Sequence, residues 1–184
     1  TQMTQHCTIE PHGAVCMVTP DGKLTLWSNN DSPYYARQVI AVSLKLPMHR
    51  IRMVGAPYIG GNFGGKGGLK AEAIAIALAW NLRGRPIRVV YTREEEFTSA
   101  LVRHPTVITL KTGVKKDGTI VARQSTCLWD TGAYAEKGPG VSRMGGASSA
   151  GGYDIPHVSV ESYCVYTNNQ VAGALRGFSG PQVA

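Results

Sequence analysis

The chain has 184 residues, which is enough for one or two compact units with a sizeable core. Its 43% hydrophobic and 17% charged residues are near the globular average and exclude a disordered chain. No apolar run reaches the ~20 residues that span a membrane, and the bases behind the net charge of +7 are too scattered for nucleic-acid binding. We expect no membrane and no nucleic-acid partner, whereas an anionic ligand would suit the charge.

The first part of the chain predicts a hairpin, a helix and a strand. Residues 14–18 and 24–28 are β-rich runs on either side of a Pro-Asp-Gly turn, which predicts the hairpin. Ser32 followed by Pro33 is a typical helix start, and apolar residues follow at helical spacing. Residues 50–58 alternate and predict a strand that runs into a glycine-rich stretch.

A second helix and a short strand are expected beyond this stretch. Residues 69–84 form an alanine-rich run that predicts a helix ending at Gly84, a typical glycine just past a helix. Residues 87–91 predict a short buried strand. Thr92 and Glu95 have the spacing of a capping box, which predicts a brief acidic helix.

The remaining chain predicts a long hairpin, a loop and a further strand. Residues 106–114 and 119–134 flank a Lys-Lys-Asp-Gly turn and form the hairpin. Residues 138–152 are rich in Gly and Ser and are expected to be a loop. Residues 157–167 predict a strand. Because the hairpins exclude a purely parallel sheet, we expect an α+β fold of mixed and antiparallel strands with a few helices.

The organisation into units and the cysteines complete this general picture. A boundary between two small units is expected near residue 100. The four cysteines are far apart and contain no CxxC pair, which argues against zinc and against an iron–sulfur cluster in this chain. Reduced, mostly buried thiols and the lack of a visible export signal at the N-terminus favour a cytoplasmic protein.

The stretch "GGNFGGKGG" (60–68) holds six glycines in nine positions. Ordering so loose a segment is costly, so a ligand or another backbone is expected to approach its main chain. The spacing from Gly60 to Lys66 satisfies most of a phosphate-loop pattern, between a strand and a helix. Gly67 stands where the magnesium-binding Ser or Thr would be, and Phe63 does not fit a phosphate cradle. A nucleotide- or phosphate-binding module without magnesium chemistry is therefore an alternative.

Five motifs resemble one known family. "GGNFGGK" (60–66) resembles the GGGFGGK signature of molybdenum hydroxylases of the xanthine dehydrogenase and aldehyde oxidase type. The segments "QHCTIEPHGAV" (5–15), "RHP" (103–105), "YDIP" (153–156) and "ALRGFSGPQ" (174–182) are similar to further family motifs in the same order. The resemblance covers nearly the whole chain. It implies that residues 1–184 are the front part of a molybdopterin-binding region in a larger catalytic subunit.

The resemblance also implies roles for particular residues. Two segments are expected to lie against the molybdenum–molybdopterin cofactor, with or without an attached nucleotide: Gly61, Asn62, Phe63, Gly64 and Gly65 in one, Arg176 and Gly177 in the other. Phe178 matches an aromatic residue that stacks on a flat substrate, and Arg143 falls near a substrate-orienting arginine. The alternatives to these roles are a simple glycine connector at residues 60–68, core packing for Phe178 and a solvated position for Arg143.

Departures from the family pattern bear on the substrate. Thr4, followed by Gln5, stands where family members often have a glutamine near the metal. Gly67 replaces an acidic residue of the purine-oxidising members, and Leu175 replaces a phenylalanine. These differences argue against xanthine and favour an aldehyde or an aromatic or N-heteroaromatic substrate.

The resemblance implies hydroxylation with oxygen taken from water, a glutamate as general base, and electron transfer to iron–sulfur clusters and a flavin. That glutamate is expected downstream, so the chain holds no catalytic residue and no metal ligand of its own. Glu94, Glu95 and Glu96 are expected to be solvated, and Glu10 belongs to the first motif. We expect a piece that is inactive alone.

The expected partners follow from the same resemblance. They are the rest of the catalytic subunit, together with iron–sulfur and flavin subunits or domains. A homo-oligomer is also expected where uncovered apolar surface drives self-association. The remaining alternative is a structural or interaction domain that has kept the fold without the cofactor.

Overall fold

A computed structural model describes residues 1–184. The chain divides into two compact units. The N-terminal unit comprises Cys7–Ala100, and the C-terminal unit comprises Thr1–His6 together with Leu101–Ala184.

The chain forms ten strands and five α-helices. The strands are β1 (Thr4–Gln5), β2 (Gly13–Val18), β3 (Leu24–Ser28), β4 (Ile51–Gly55), β5 (Ile87–Val90), β6 (Val102–Arg103), β7 (Thr106–Val114), β8 (Ile120–Gly132), β9 (His157–Tyr166) and β10 (Ala172–Gly173). The helices are α1 (Pro33–Leu44), α2 (Ala71–Asn81), α3 (Arg93–Ser99), α4 (Gly138–Ser148) and α5 (Gly180–Val183). None of the helices is long and apolar enough to cross a membrane.

The N-terminal unit is a four-stranded mixed sheet in the order β4-β3-β2-β5. Strands β2 and β3 form the predicted hairpin, and β4 adds parallel to β3 after the crossover through α1. Every second residue of β2 is buried, as expected for a sheet with one covered face. The core gathers these side chains and the inner faces of the two long helices: Ala14, Cys16, Val18, Leu24, Leu26, Ile40, Ala41, Ile51, Ala71, Ala75, Ile76, Ala79 and Tyr91.

The C-terminal unit is built on the three-stranded sheet β7-β8-β9, in which β8 pairs antiparallel with β7 and parallel with β9. Trp129 on β8 is completely buried and forms a core with Cys127 and with Val141 of α4. A smaller sheet, β1-β6-β10, joins the first residues of the chain to the segment that leads into residues 174–182.

The structure confirms several predictions. Both hairpins are present, and the fold is α+β with mixed sheets and few helices. The capping box is complete, since Glu95 N–H donates to Thr92 Oγ1 at 3.2 Å and Thr92 N–H donates to Glu95 Oε2 at 2.7 Å. Turn chemistry and capping are local signals, which is why the sequence predicts them well.

Three local predictions are correct only in part. Residues 87–90 form the predicted strand β5, but it is a sheet edge at which Arg88 and Val90 are exposed. The predicted helix start is confirmed, since Ser32 is the N-cap of α1 and Pro33 its first residue, but the Ser32 side chain makes no capping hydrogen bond. Gly84 does adopt a left-handed φ of 82°, but its N–H bonds Val18 O at 2.7 Å rather than a helix carbonyl.

The predicted loop at 138–152 is wrong, because most of it is helix α4. Its glycines allow the helix to approach the sheet closely. A Cβ at Gly145 would lie 2.1 Å from Cζ2 of Trp129, and one at Gly146 would lie 2.8 Å from Cβ of Ser162. The glycines therefore serve packing here, and the Gly/Ser composition was a misleading signal for a loop.

Candidate functional site

The glycine loop, residues 60–68, connects β4 to α2 in the N-terminal unit. Its backbone turns through left-handed conformations at Gly61 (φ 101°), Phe63 (φ 54°) and Gly64 (φ 94°). Glycine takes these angles at little cost, whereas a phenylalanine in the left-handed region is uncommon. The Phe63 side chain remains 46% exposed. Such an unusual backbone at an exposed aromatic residue is typical of functional sites.

Asn62 folds this loop through its side chain. Its Oδ1 accepts from Gly64 N–H at 3.1 Å and from Lys66 N–H at 3.0 Å, while its carbonyl accepts from Gly65 N–H at 2.9 Å. These three bonds define a tight turn of the kind that asparagine side chains organise. The Asn62 side chain thus shapes the loop from within.

Hydrogen bonds within the unit satisfy part of the loop backbone. Five of its carbonyl groups accept hydrogen bonds, in each case from a donor of the same unit. These are the carbonyls of Gly60, Asn62, Gly65, Lys66 and Gly68, with donors on Glu10, Gly65, His12, Asp31 and Asn30. Four of its N–H groups also have partners, whereas those of Gly61, Asn62 and Phe63 have none. Three successive donors of the loop are therefore unpaired.

Lys66 is held inside the unit by Glu10. Its side chain is completely buried, and Nζ donates to Glu10 Oε2, which also accepts from Gly60 N–H at 2.9 Å. Although burial alone would raise the pKa of Glu10, the hydrogen bonds from Lys66 and Gly60 hold it below its ordinary value. A phosphate loop needs its lysine free to reach a phosphate, so this geometry disfavours the nucleotide-binding alternative.

A second buried pair joins His12 to Glu96. The His12 Nδ1 lies 2.8 Å from Glu96 Oε1, and both side chains are more than nine-tenths buried. The other ring nitrogen, Nε2, lies 3.2 Å from the carbonyl oxygen of Gly65. The expectation that Glu96 is solvated is wrong: α3 turns Glu94 and Glu95 outward but directs Glu96 to the histidine.

The far end of the loop is held by Glu72 of α2. Its carboxylate accepts from Ser28 Oγ and from Lys70 N–H, the latter at 2.9 Å. Asn30 links this carboxylate to the loop because its Nδ2 also donates to Gly68 O. Buried charges thus fix both ends of a segment whose composition alone suggests flexibility.

The second predicted segment, residues 176–178, lies in the C-terminal unit after β10. Gly177, Phe178 and Ser179 take left-handed φ values of 98°, 46° and 73° in succession. The Phe178 ring is 37% exposed, which excludes complete burial in a core. Both segments therefore present a half-exposed phenylalanine on left-handed backbone next to a left-handed glycine.

Hydrogen bonds from Arg103 and His6 support this segment. Arg103 donates to Arg176 O at 2.8 Å and to Gln182 Oε1 at 2.9 Å. The two ring nitrogens of His6 lie 3.0 Å from Leu101 O and 2.7 Å from Ala174 O. Burial lowers the pKa of Arg103 from its ordinary value. The Arg176 side chain itself is exposed, so its charge is available at the surface.

Arg143 lies on the exposed side of α4, beside a groove of about 490 Å³ that also contacts Ser142, Val160 and Cys164. It is thus in the same unit as residues 176–178 but on a different element.

The RHP motif at 103–105 places His104 fully inside the C-terminal unit, where burial lowers its pKa from the ordinary value.

Sequence reasoning did not assign roles to the residues that hold the two segments. These supporting residues are Glu10, His12, Glu96, Arg103 and Gln182. Four of them lie inside the family-like motifs at 5–15, 103–105 and 174–182, so these motifs could have indicated them. Glu96 lies outside every motif, and only the fold brings it to His12.

The chain belongs to the molybdopterin cofactor-binding domain family, whose model matches residues 1–184. It is similar to a probable xanthine dehydrogenase subunit of Bacillus subtilis (strain 168), with 39% identity over 97% of this chain and 24% of that protein. It is also similar to the nicotinate dehydrogenase large molybdopterin subunit of Eubacterium barkeri, with 38% identity over 100% of this chain and 43% of that protein.

The fold is similar to that of a solved structure. The aldehyde oxidoreductase from Desulfovibrio gigas superimposes with a TM-score of 0.90 and 30% identity, over 98% of this chain and 20% of that one. The chain thus spans less than half the length of each of these three relatives.

The residues present fit a molybdopterin. Its phosphate and oxo oxygens are hydrogen-bond acceptors, and the glycine loop offers three unpaired N–H donors at 61–63. Gly61 and Gly64 carry no side chain that would keep such a group away from the backbone.

Proposed function

We propose that this chain supplies part of the cofactor pocket of a molybdenum-dependent oxidoreductase that hydroxylates an aldehyde or an aromatic or N-heteroaromatic substrate with oxygen from water. The observation that carries the proposal is the glycine loop, in which five carbonyls are bonded within the unit and the N–H groups of residues 61–63 are unpaired. Rigid donors of this kind bind electronegative groups without reorganisation.

The residues of the chain would act through binding and orientation. The N–H groups of residues 61–63 would hold oxygen atoms of the cofactor, and the Phe63 ring would cover its flat surface. Arg176 and Gly177 would approach it with a positive charge and an unobstructed backbone, while Phe178 would stack on an aromatic substrate that Arg143 helps to orient. When bound, the molybdenum–pterin group supplies the two-electron redox chemistry.

The substrate class rests on the departures from the purine-oxidising pattern. Gly67 is buried at the position where purine-oxidising members have an acid. Relatives are named for nicotinate, for aldehydes and for xanthine, so their names do not choose between these substrates. The general-base glutamate is assigned to a part of the enzyme outside this chain, because the buried Glu72 and Glu96 are both held by partners within the N-terminal unit.

The proposed enzyme includes further parts. Names of two relatives describe one subunit of an enzyme, which supports further subunits. We assign to such subunits or domains the iron–sulfur clusters and the flavin that the family resemblance implies. A cytoplasmic location is supported by the four cysteines, all of which are free thiols.

The test is cofactor retention. The chain, and the longer protein that contains it, would be purified from cells that synthesise the cofactor, and molybdenum and pterin would be measured by mass spectrometry and fluorescence. We expect both in the longer protein, together with turnover of an aldehyde or N-heterocycle with a dye acceptor, and no turnover by residues 1–184 alone. Absence of both from the longer protein would favour a structural domain, and magnesium-dependent ATP binding would favour the nucleotide alternative.

A further inference from the structure

His12 occupies a position between two oxygen acceptors. Its Nδ1 faces Glu96 Oε1 at 2.8 Å, and its Nε2 faces the carbonyl oxygen of Gly65 at 3.2 Å. The same carboxylate oxygen also accepts from the His12 backbone N–H. Only 3% of His12 is exposed, so water cannot replace either contact at the ring.

This geometry constrains the protonation of the ring. A neutral imidazole has one N–H donor and one lone pair, so either tautomer would direct its lone pair at an oxygen. With the proton on Nδ1, the lone pair of Nε2 would repel Gly65 O. With the proton on Nε2, a further proton must lie between Nδ1 and the buried Glu96 carboxyl group. The arrangement without repulsion therefore has Nε2–H donating to Gly65 O and one proton joining Nδ1 to Glu96 Oε1.

The bond to Gly65 connects this pair to the shape of the loop. Gly65 N–H donates to Asn62 O, and the neighbouring Lys66 N–H donates to Asn62 Oδ1, so the peptide that His12 holds also closes the turn around Asn62. If Gly65 O turned away, that turn would open. The unpaired N–H groups of residues 61–63 belong to this turn or directly precede it, so their positions depend on it.

We propose that His12, held at Nδ1 by Glu96, is a positioning residue whose Nε2–H fixes the Gly65 carbonyl and thereby the turn around Asn62 that carries the unpaired donors of residues 61–63. The role of those donors towards a cofactor rests on the proposed function, whereas the positioning itself is a property of the chain. His12 does not touch the cofactor or the substrate in this account.

Two substitutions separate the two bonds. The amide nitrogen of asparagine takes the place of Nδ1 and can reach Glu96, and that of glutamine takes the place of Nε2 and can reach Gly65. We expect His12→Asn to speed hydrogen exchange at the N–H groups of Gly64, Gly65 and Lys66 by about tenfold relative to the amides of β2 and β3, since one anchoring bond is lost. His12→Gln should preserve more of this protection. His49→Gln, at an exposed histidine of the same unit, is the control and should change nothing.

Nitrogen NMR of the unsubstituted chain gives a second measurement that requires no variant to fold. We expect His12 Nε2 to carry a proton that is shared with Gly65 O. An Nε2 without a proton, or equal exchange in the Asn and Gln variants, would overturn the proposal. Neither measurement uses the cofactor, so a chain that passes both but whose longer protein retains no pterin would contradict only the proposed function.

Discussion

Two glycine-rich stretches of this chain have similar compositions and opposite structures. Residues 60–68 are a loop whose backbone is left-handed at Gly61, Gly64 and Gly68. Residues 138–148 are a regular helix, α4, with no left-handed residue. At Gly138, Gly145 and Gly146 of the helix, the space that a Cβ would need is already filled by the protein itself. In the loop this holds for Gly60, which lies against Glu10, whereas Gly61 and Gly64 provide left-handed backbone angles beside unpaired N–H donors.

The two glycine-rich stretches differ in what approaches their main chain. In both stretches glycine permits something to come close to the main chain. For α4 that partner is the sheet beneath it, in particular Trp129 and Ser162. In the loop no element of the N-terminal unit pairs with the N–H groups of residues 61–63, and we assign that place to the cofactor. Substitutions that add a single methyl group should therefore act differently in the two stretches.

The largest effect is expected for Gly145→Ala in α4. The new Cβ would lie 2.1 Å and 2.4 Å from two ring atoms of buried Trp129. Helix and sheet would have to separate, which we expect to cost about 3 kcal/mol of unfolding free energy despite the better helix propensity of alanine. Urea denaturation measures this, and a variant as stable as the original chain would show that α4 does not pack closely on Trp129.

The next largest effect is expected for Lys66→Met. It removes the buried cation that pairs with Glu10, whose side chain is 38% exposed. Since water can partly solvate the remaining carboxylate, the cost should be about 2–3 kcal/mol, below that of breaking a fully buried pair. The matched control is Lys23→Met, which breaks the exposed pair with Asp21 and should have little effect. Equal losses of unfolding free energy in the two variants would show that the buried pair does not stabilise the protein more than the exposed pair does.

A smaller effect is expected for Gly61→Ala in the glycine loop. A Cβ there would lie 3.4 Å from Phe63 Cε2 and from Thr8 Cβ, which is close but not a severe clash. The cost arises from the φ of 101°, which an alanine rarely adopts, and should be about 1–2 kcal/mol. Retention of pterin by the longer protein should fall more steeply than stability. A variant that is destabilised but retains pterin normally would place the cofactor elsewhere.

The smallest effect, with the opposite sign, is expected for Gly140→Ala in α4. A Cβ at this position would meet nothing within 4 Å. Alanine should therefore stabilise the helix by up to about 1 kcal/mol through propensity alone. Together with Gly145→Ala, this substitution distinguishes close packing from a general need for glycine in the helix. Destabilisation at both positions would point to the latter.

The sequence predicted the features that depend on neighbouring residues. The Pro-Asp-Gly turn and the Thr92–Glu95 spacing specify a hairpin and a cap within a few positions. The family-like motifs also located the glycine loop. The composition of residues 138–148 could not distinguish a loop from a helix, because the glycines are needed for close packing against side chains of β8 and β9.

The support of the candidate site could not be predicted for a related reason. His12 meets Gly65 across 53 positions and Glu96 across 84, and Lys66 meets Glu10 across 56. No local pattern encodes such pairs. A charged run such as Glu94, Glu95 and Glu96 shows which residues are acidic, but only the direction in which α3 packs decides which one is buried.

The proposed function requires that the N–H groups of residues 61–63 donate hydrogen bonds to a cofactor. Amide hydrogen exchange at Gly61, Asn62 and Phe63, measured in the longer protein with and without bound molybdopterin, tests it most directly. We predict rapid exchange in the cofactor-free protein and strong protection once the cofactor is bound, with little change at β2 and β3. Exchange at these three amides that is the same in both states would contradict the claim.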